Sequence, residues 1–362
     1  MGRPKRDGSI AAGPISLKTL AAYLDLDPAT VSVVLNKVPG RSIPEATRER
    51  IRAAALRFNY EPSFLARSLR SRRTMTIGIL VPVLADGYHA EVMSGIGDRL
   101  LEEDFFYFIA HHRHRADLIE QYPHMLMRRG AEGLIAIDTR LAHALPLPVV
   151  AVAGHRPING VKNVILDHHR AAELSLGHLY DLGHRTIAFM RGQPYSSDSD
   201  ERWQAIVQVA RKLGLSIRPE LTIQLDKDLT SPELGYPVIE QLLAHQRSFT
   251  AVLSFNDIAA FGAIRALHDA QLRVPQDVSV VGFDDIKEAA FQTPRLTTIR
   301  QPLHHMGELA VQILLEQLRP SGATKTPQET AVEPELIVRE STGPARKTPG
   351  KKRSTRSAMV SM

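Results

Sequence analysis

The chain has 362 residues, no cysteine and a formal net charge of +6 at pH 7. This length allows two or three domains with sizeable cores, and the lack of cysteine excludes disulfides and thiolate metal sites. No apolar run reaches the roughly 20 residues that a membrane-spanning helix needs, and the basic N-terminus lacks the apolar stretch of a secretory signal. We therefore expect a cytoplasmic protein with no membrane partner.

The charge is unevenly distributed along the chain. Residues 1–73 contain 14 Lys and Arg against 6 Asp and Glu, residues 74–340 contain 25 against 33, and residues 341–362 contain 6 against none. A basic head on an acidic body predicts a polyanionic partner for the head; a merely solubilising basic arm is the alternative. The tail from residue 341 is rich in Pro, Gly, Ser and Thr, which predicts disorder.

Residues 16–35 predict two short helices joined by a tight turn. Ser16 is a suitable N-cap for the first helix, and Asp27 followed by Pro28 is typical of the start of the second. Apolar residues recur at helical spacing in both, and the small Ala21 lets the helices approach closely. This is helix-turn-helix geometry, in which the second helix lies in the DNA major groove. An ordinary helical hairpin is the alternative.

Two further helical segments follow. Residues 45–58 form an amphipathic pattern, and Ser42 with Glu45 predicts a capping box. Residues 62–73 are helical in pattern but too short to be stable alone. They combine one apolar wedge with several arginines, which suits insertion into the minor groove.

From residue 74 the pattern becomes an alternation of strands and helices. Strand-like runs TIGILVPV, DFFYFIAHH, GLIAID and PVVAVA are separated by helical patterns at 89–103 and 118–129. The alternation restarts with VKNVILD, RTIAFM, AVLSF and VSVVGF, with helices at 170–182, 202–213 and 258–270. Such alternation predicts parallel sheets covered on both faces. We therefore expect an all-α helix-turn-helix domain followed by an α/β body of two lobes with a cleft between them.

Ordered motifs along the chain carry a resemblance to a known family. They are LDPATVSVVLN, ATRERIRAAALRFNYEPSFLARSLRSRRTMTIGILVP, LGHRTIAF, LSFNDIAAFGAIRAL, VPQDVSVVGFDDI and LTTIRQP. Over roughly residues 16–342 the chain resembles the lactose/galactose repressor (LacI/GalR) family of bacterial transcription factors. The resemblance implies a periplasmic-binding-protein-like body in which the chain crosses between lobes three times. On this reading, residues 296–318 return to the first lobe and residues near 335–338 return to the second.

The expected organisation has five parts. They are a flexible basic arm at 1–15, the helix-turn-helix domain at 16–61, a hinge helix at 62–73, the two-lobed effector-binding and dimerisation body at 74–340, and a disordered basic tail at 341–362.

The resemblance also implies which residues contact DNA. The matching positions are Pro28 and Ala29 for the main base contacts, Thr30, Ser32 and Asn36 for supporting polar contacts, Ser16, Leu17 and Lys18 for the backbone, and Lys37 and Arg41 for phosphates from a longer loop. Val33 stands where most members carry an arginine, which removes a guanine reader. We therefore expect an operator sequence unlike that of common members.

The hinge residues imply a dimer. Leu69 matches the family leucine that wedges into a central minor-groove step, flanked by Ala66 and Arg70. Two such helices are needed to open the groove, so the site should be pseudo-palindromic with half-sites about one helical turn apart. Replacing Leu69 by alanine should weaken operator binding and spare nonspecific binding.

Effector residues are implied less completely. Arg202, Asn256, Asp257 and Asp284 match positions from which sugar-binding members contact their ligand. For Asp257 and Asp285 the alternative is a structural role, since Asn-Asp after a strand often caps the next helix. On the first lobe, Val83 and Ala153 replace expected residues. Six residues near strand ends are candidates to compensate: Asp86, Tyr88, His89, His112, Asp138 and His155. The ligand could be a carbohydrate derivative, a less hydroxylated metabolite or a protein, or there may be none.

No other cluster of residues in the sequence indicates metal binding or catalysis. His111, His112 and His114 lack the ligand spacing of a metal site, and a cleft-rim or surface cluster is favoured. Trp203 is expected in the cleft or in the core. No nucleophile–base pair, phosphate loop or cofactor motif is recognisable, so neither an enzyme nor a cofactor is expected.

The expected function is therefore that of a homodimeric, sequence-specific DNA-binding repressor modulated by a small molecule in the cleft. One alternative is an effector-independent global DNA-binding regulator. A second, from another class, is a sugar-binding protein of a transport system, against which the basic helical head argues.

Overall fold

The structure is a computed structural model that describes residues 15–36, 42–62, 68, 73–154, 157–227, 229–246, 248–319 and 327–346. Its chain divides into two compact units, Met1–Thr74 and Met75–Met362. Several predicted features lie outside the described residues: residues 1–14 of the arm, the tail from 347, and the five DNA-contact candidates Lys37, Arg41, Ala66, Leu69 and Arg70. What the sequence predicts for these residues therefore stays a prediction.

The first unit contains three helices, α1 (Leu17–Leu24), α2 (Pro28–Leu35) and α3 (Glu45–Arg57). Ser16 caps α1 by accepting a hydrogen bond from the Thr19 amide at 3.1 Å. Asp27 caps α2 by accepting from the Ala29 amide at 2.7 Å. Both predicted caps are confirmed.

The predicted capping box before α3 is wrong. Pro44 occupies the N-cap position of α3, and no side chain caps this helix. Proline offers no side-chain acceptor, and Ser42 lies too early in the chain to take the cap position.

A small hydrophobic core joins the three helices of the first unit. Leu20 of α1, Val31 of α2 and Ile51 of α3 are completely buried. Burial of each such side chain contributes about 1.5–3 kcal/mol relative to leaving it exposed. This core fixes α2 against α1 as the sequence predicts.

The second unit contains two six-stranded sheets covered by helices, which confirms the predicted fold class. In chain order its strands are β1 (Thr76–Val81), β2 (Phe106–His111), β3 (Gly133–Ile137), β4 (Val149–Val152), β5 (Val161–Leu166), β6 (Ile187–Arg191), β7 (Thr222–Gln224), β8 (Ala251–Leu253), β9 (Ser279–Asp284), β10 (Thr297–Arg300), β11 (Glu329–Val332) and β12 (Glu335–Ile337). Its α-helices are α4 (Gly87–Glu102), α5 (Ala116–Arg128), α6 (His168–Asp181), α7 (Ser199–Lys212), α8 (Tyr236–His245), α9 (Asp257–Asp269) and α10 (Leu303–Leu318).

Each sheet belongs to one lobe. The first has the order β11-β5-β4-β3-β1-β2 and is entirely parallel. The second has the order β12-β10-β9-β8-β6-β7 and is parallel except for the antiparallel pair β10–β12. Strands such as β1 are buried along their whole length because helices cover both faces of the sheet.

The chain crosses between the lobes three times, but two boundaries differ from the prediction. The segment VKNVILD, assigned to the second half, is β5 and pairs with β4 of the first sheet. Residues from 296 were expected in the first lobe, yet β10 pairs with β9 of the second sheet. The return to the first lobe begins with α10, from Leu303, which packs on α4, and it continues with β11. Strand pairing, which periodicity does not reveal, decides these boundaries.

The predicted tail begins later than residue 341. Ser341 is completely buried, its hydroxyl donates to the Val280 carbonyl oxygen at 2.6 Å, and the Ala345 amide donates to the Leu182 carbonyl at 2.8 Å. Residues 341–346 are therefore part of the second lobe. Among the described helices, none is long and apolar enough to cross a membrane.

Candidate functional site

The start of α2 presents the predicted base-reading residues. Pro28 and Ala29 are exposed and Thr30 is half-buried. On α1, Ser16 and Lys18 are exposed and Leu17 is half-buried. These residues are accessible in the arrangement by which a helix-turn-helix meets DNA.

Ser32 does not fit its predicted role. Its residue is 6% exposed, because this part of α2 faces the core beside Val31. The Asn36 side-chain amide donates to the Ser32 carbonyl oxygen at 2.8 Å and to its hydroxyl at 3.2 Å. Ser32 therefore has little exposed surface for a base contact, and Asn36 is engaged in holding the end of α2.

The second candidate site is a cavity of about 80 Å³ in the second unit, lined by residues of both lobes. It lies at the carboxyl ends of the parallel strands, where ligands of open α/β sheets bind. Seven predicted effector residues line it: Asp86, Tyr88, His89, Asp138, Arg202, Asn256 and Asp284. Val83 also lines it, in place of the expected carboxylate. The candidate His155 lies outside the described residues.

On the first lobe, a histidine lies between two carboxylates. Asp86 caps α4 by accepting from the His89 amide at 2.9 Å, and its carboxylate is 2.7 Å from Nδ1 of the His89 ring. The other ring nitrogen is 4.0 Å from Asp138. Burial opposes ionisation of Asp86, but the charge and hydrogen bonds of His89 outweigh it and lower the pKa of Asp86.

Asp138 also joins the two lobes. Its Oδ1 accepts from the amide and the hydroxyl of Ser197, at 2.8 and 2.7 Å, and from the Ser196 hydroxyl at 3.3 Å. Both serines belong to the loop between β6 and α7 of the second lobe. Asp138 therefore contributes to the lobe contact as well as to the cavity wall.

On the second lobe, Arg202 is the buried cation. Its guanidinium lies between the rings of Phe255 and Phe283, 4.4 and 3.7 Å from their centroids. It donates to the Phe255 carbonyl oxygen at 2.6 Å and to the Asp198 carboxylate. Asp198 is also bonded to Nε2 of His168 at 2.8 Å. A planar cation fixed in this way is suited to bind oxygen atoms of a ligand.

Asp284 lies at the end of β9 with a φ of 116°, a region strained for a residue with a side chain. It is 6% exposed and accepts from the Gln301 amide at 2.7 Å. Burial raises its pKa well above the ordinary value, although Arg202 acts in the opposite direction. Asn256 caps α9 through its side-chain oxygen, which leaves its amide nitrogen for a ligand.

The neighbouring aspartates have structural roles. Asp257 is completely buried and accepts from the Ile286 amide at 3.0 Å and from the Thr298 hydroxyl at 2.6 Å. Asp285 forms ion pairs with Arg300 and Arg339, at 2.8 and 2.7 Å. These contacts favour the structural alternative for Asp257 and Asp285, although the side chain that caps α9 is that of Asn256.

His112 does not line the cleft cavity, which differs from the prediction. Its ring is completely buried, its Nδ1 accepts from the His114 amide at 3.1 Å, and its Nε2 donates to the Thr139 hydroxyl at 2.9 Å. His114, two residues on, lines the cavity instead, because successive residues after the strand point in different directions. Among the described residues, no group of His and carboxylate side chains is arranged to hold a metal.

Several cavity residues were not predicted. From the first lobe it is His114, and from the second they are Gln193, Tyr195, Ser196, Asp198, Leu229, Thr230 and Phe255. The polar run GQPYSSDSD directly after β6 was the available signal, since loops at the carboxyl ends of parallel strands form ligand sites. Trp203, by contrast, packs edge-on to Phe189 in the core of the second lobe.

Comparisons with known proteins agree with this architecture. A model of the periplasmic binding protein-like domain matches residues 176–342. The HTH-type transcriptional repressor PurR of Glaesserella parasuis is 31% identical over 339 residues, 90% of this chain and 98% of that protein. PurR of Aliivibrio fischeri is 31% identical over 334 residues, with the same shares covered.

Solved structures extend the likeness to three dimensions. The lac repressor dimer bound to operator and the anti-inducer ONPF matches with a TM-score of 0.81 at 27% identity, over 91% of this chain and 100% of that chain. The complex of the transcriptional regulator CelR with cellobiose matches with a TM-score of 0.67 at 26% identity, over 90% and 99%. Since the likeness to repressors spans both the helical head and the two-lobed body, the chain belongs to the LacI/GalR family of transcriptional regulators.

Proposed function

We propose that the protein is a transcriptional repressor that binds a pseudo-palindromic operator as a homodimer and responds to a small molecule in the interlobe cleft. The observation that carries the proposal is the coexistence of an exposed α2 N-terminus in the first unit with a cavity lined by polar residues of both lobes in the second. A sugar-binding transport protein would not require the helix-turn-helix. We expect this regulator to act in the cytoplasm, with the chromosome as its partner.

DNA readout should depend on few side-chain hydrogen bonds. Pro28 and Ala29 have no polar side-chain atoms, and Ser32 is buried. Thr30 and apolar contacts with thymine methyl groups are therefore the expected base contacts, and Lys18 is an expected phosphate contact.

Coupling to the effector would act through the contacts that join the lobes. One such contact is that of Asp138 with Ser196 and Ser197. In addition, Arg140 of the first lobe donates to the Ser196 carbonyl oxygen of the second at 2.8 Å, and Lys287 of the second lobe forms an ion pair with Glu91 of the first at 2.5 Å. A ligand that binds the closed and open lobes differently shifts the equilibrium between them. That shift would change operator affinity through the hinge.

Selection from randomised duplex DNA with the full-length protein tests the first part. We expect enrichment of a pseudo-palindrome and a sedimentation mass twice the monomer's 40.1 kDa. Thr30→Ala should relax base preference, whereas Lys18→Ala should weaken binding to all sequences and reduce the salt slope by about one. Thr47→Ala, on α3, is the matched control. A monomer that enriches no sequence would refute the proposal.

A thermal-shift screen of metabolites tests the second part. A true effector should stabilise the wild type, fail to stabilise Asp284→Asn, and change affinity for the selected operator. A compound that stabilises both proteins equally binds elsewhere. If no compound that binds in the cleft alters operator binding, the effector-independent regulator is the better description.

A further inference from the structure

A second cavity adjoins the cleft; first-lobe residues and Tyr195 of the second lobe line it, and we call it the side cavity. Its volume is about 400 Å³, against about 80 Å³ for the cleft cavity. Ligand pockets in proteins typically enclose about 300–1,000 Å³. The cleft cavity alone is therefore small for a ligand, whereas the two cavities together are of ordinary size.

The side cavity is mainly apolar. Its walls include Ala116, Ile119 and Pro123 of α5, and they include Leu141, Ala142 and Leu145 of the loop after β3. Such a surface favours the burial of an alkyl or aryl group, because apolar area leaves water. Polar and charged side chains also line it, namely His112, His114, Glu120, Asp138, Arg140, His143 and Tyr195, but most of its wall area is apolar.

The two cavities share a wall. His114, Asp138 and Tyr195 line both of them, and the rings of His114 and Tyr195 lie 4.3 Å apart between centroids at an angle of 42°. His114 is held there through its backbone hydrogen bond to the buried His112. A ligand in contact with these three residues could therefore place one part in each cavity.

The cleft side of the wall selects the other end of such a ligand. Asp86, Asp138, Asp198 and Asp284 all line the cleft cavity, against Arg202 as the single arginine or lysine among its lining residues. Carboxylates accept hydrogen bonds and repel anions. The head group should therefore donate hydrogen bonds, through hydroxyl or ammonium groups, and carry no negative charge.

We propose that the effector is amphiphilic, with a hydrogen-bond-donating polar head in the cleft and a short alkyl or aryl substituent in the side cavity. This inference rests on the proposed function only in taking the cleft as the effector site. It excludes simple neutral sugars and anionic metabolites as full occupants of the site.

Three six-carbon probes test the inference on the full-length protein, by NMR of its labelled methyl groups. Hexylamine, 1-hexanol and hexanoate share a tail and differ in the head. We expect saturable shifts of the Ile119, Leu141 and Leu145 methyls with hexylamine and hexanol. Hexanoate should bind about tenfold or more weakly than hexylamine because its head faces Asp138.

A pair of variants in one loop supplies the control. Ala142→Phe fills the side cavity from an exposed position, whereas Ala144→Phe adds the same bulk at an exposed residue outside it. Each buried methylene strengthens binding about fourfold, so Ala142→Phe should weaken hexylamine by at least about tenfold and Ala144→Phe should leave it unchanged. Methyl shifts that do not saturate, equal affinity in both variants, or equal binding of hexanoate would each overturn the inference.

Operator selection with Ala142→Phe separates this inference from the proposed function. The substitution lies in the second unit, so the variant should enrich the same DNA sequence as the wild type. Loss of probe binding with intact DNA selection supports the proposal that the side cavity binds the apolar part of the effector. Absence of DNA selection by the wild type would refute the repressor proposal and leave the probe result standing.

Discussion

Replacing His112 by glutamine should remove a pH-dependent loss of stability from the second unit. His112 is completely buried, and its Nδ1 accepts from the His114 amide while its Nε2 donates to Thr139. Burial, together with the charges of neighbouring histidines, lowers its pKa from 6.5 to about 3. Protonation would turn both ring nitrogens into donors and break the bond to His114.

The magnitude follows from proton linkage. The unfolded chain takes up a proton at this histidine near pH 6.5, while the folded chain does so only near pH 3. Because the folded pKa is the lower one, stability is lost as pH falls below 6.5. Between pH 8 and pH 5 the loss should be about 2 kcal/mol. Glutamine retains a donor for Thr139 and does not titrate, so the variant should escape this loss.

Urea unfolding at pH 5, 6, 7 and 8 measures the effect. Trp203 is the only tryptophan and lies in the core of the second lobe, so its fluorescence reports on this unit. His143→Gln, at an exposed residue of the same lobe, is the control and should follow the wild type. If the free energies of unfolding of wild type and His112→Gln fall in parallel with pH, the assigned environment of His112 is wrong.

Three further substitutions test the packing and charge of the second unit. Gly95→Ala should lower the stability of the second unit by about 1–3 kcal/mol, since the new Cβ would lie 1.9 Å from the His304 carbonyl oxygen. In the control Gly177→Ala the new Cβ meets nothing within 4 Å, so this variant should gain about 0.5–1 kcal/mol. Urea midpoints that shift in the same direction in both variants would contradict the close helix contact. Asp257→Asn should abolish a pH dependence of stability. Burial raises the pKa of Asp257 to about 7, above its unfolded value, so the wild type is stabilised in acid and loses that stability as pH rises. Between pH 5 and pH 8 the wild type should lose about 2–3 kcal/mol relative to the variant, as measured by the same urea titration. Arg202→Met should cost about 3–5 kcal/mol in chemical unfolding, because a buried carboxylate loses its cation; a near-neutral effect would indicate that this carboxylate is protonated.

The fold was largely predictable because its signals are local. Capping by Ser16 and Asp27 and the apolar spacing of the first three helices depend on residues within a few positions of each other. The same is true of the strand-helix alternation. The assignment of β5 and β10 to their sheets was not predictable in this way. It depends on pairing with β4 and β9 across the fold, and a strand carries no local mark of its neighbour.

The cleft was predictable in its residue types but less in their roles. Topology brings the residues after parallel strands to one edge, which is why Asp86, Asp138 and Asp284 meet there. Whether a side chain faces the cavity depends on the turn that follows the strand. His112 and His114 differ by two positions, yet one is buried in the lobe and the other lines the cleft.

The availability of each cleft carboxylate for a ligand depends on partners distant in sequence. Asp86 is engaged by His89 and Asp198 by Arg202, while Asp138 accepts from the serines of the opposite lobe. Asp284 is different, because its described side-chain donor is the neutral amide of Gln301 at Oδ1. A carboxyl group has about four acceptor sites, so Asp284 retains the greatest capacity for ligand hydroxyl or ammonium groups.

The raised pKa of Asp284 adds a condition on the effector. A cationic head group would stabilise the ionised carboxylate, whereas a neutral head group could also bind the protonated carboxyl group. The charge of the effector should therefore determine how its affinity depends on pH.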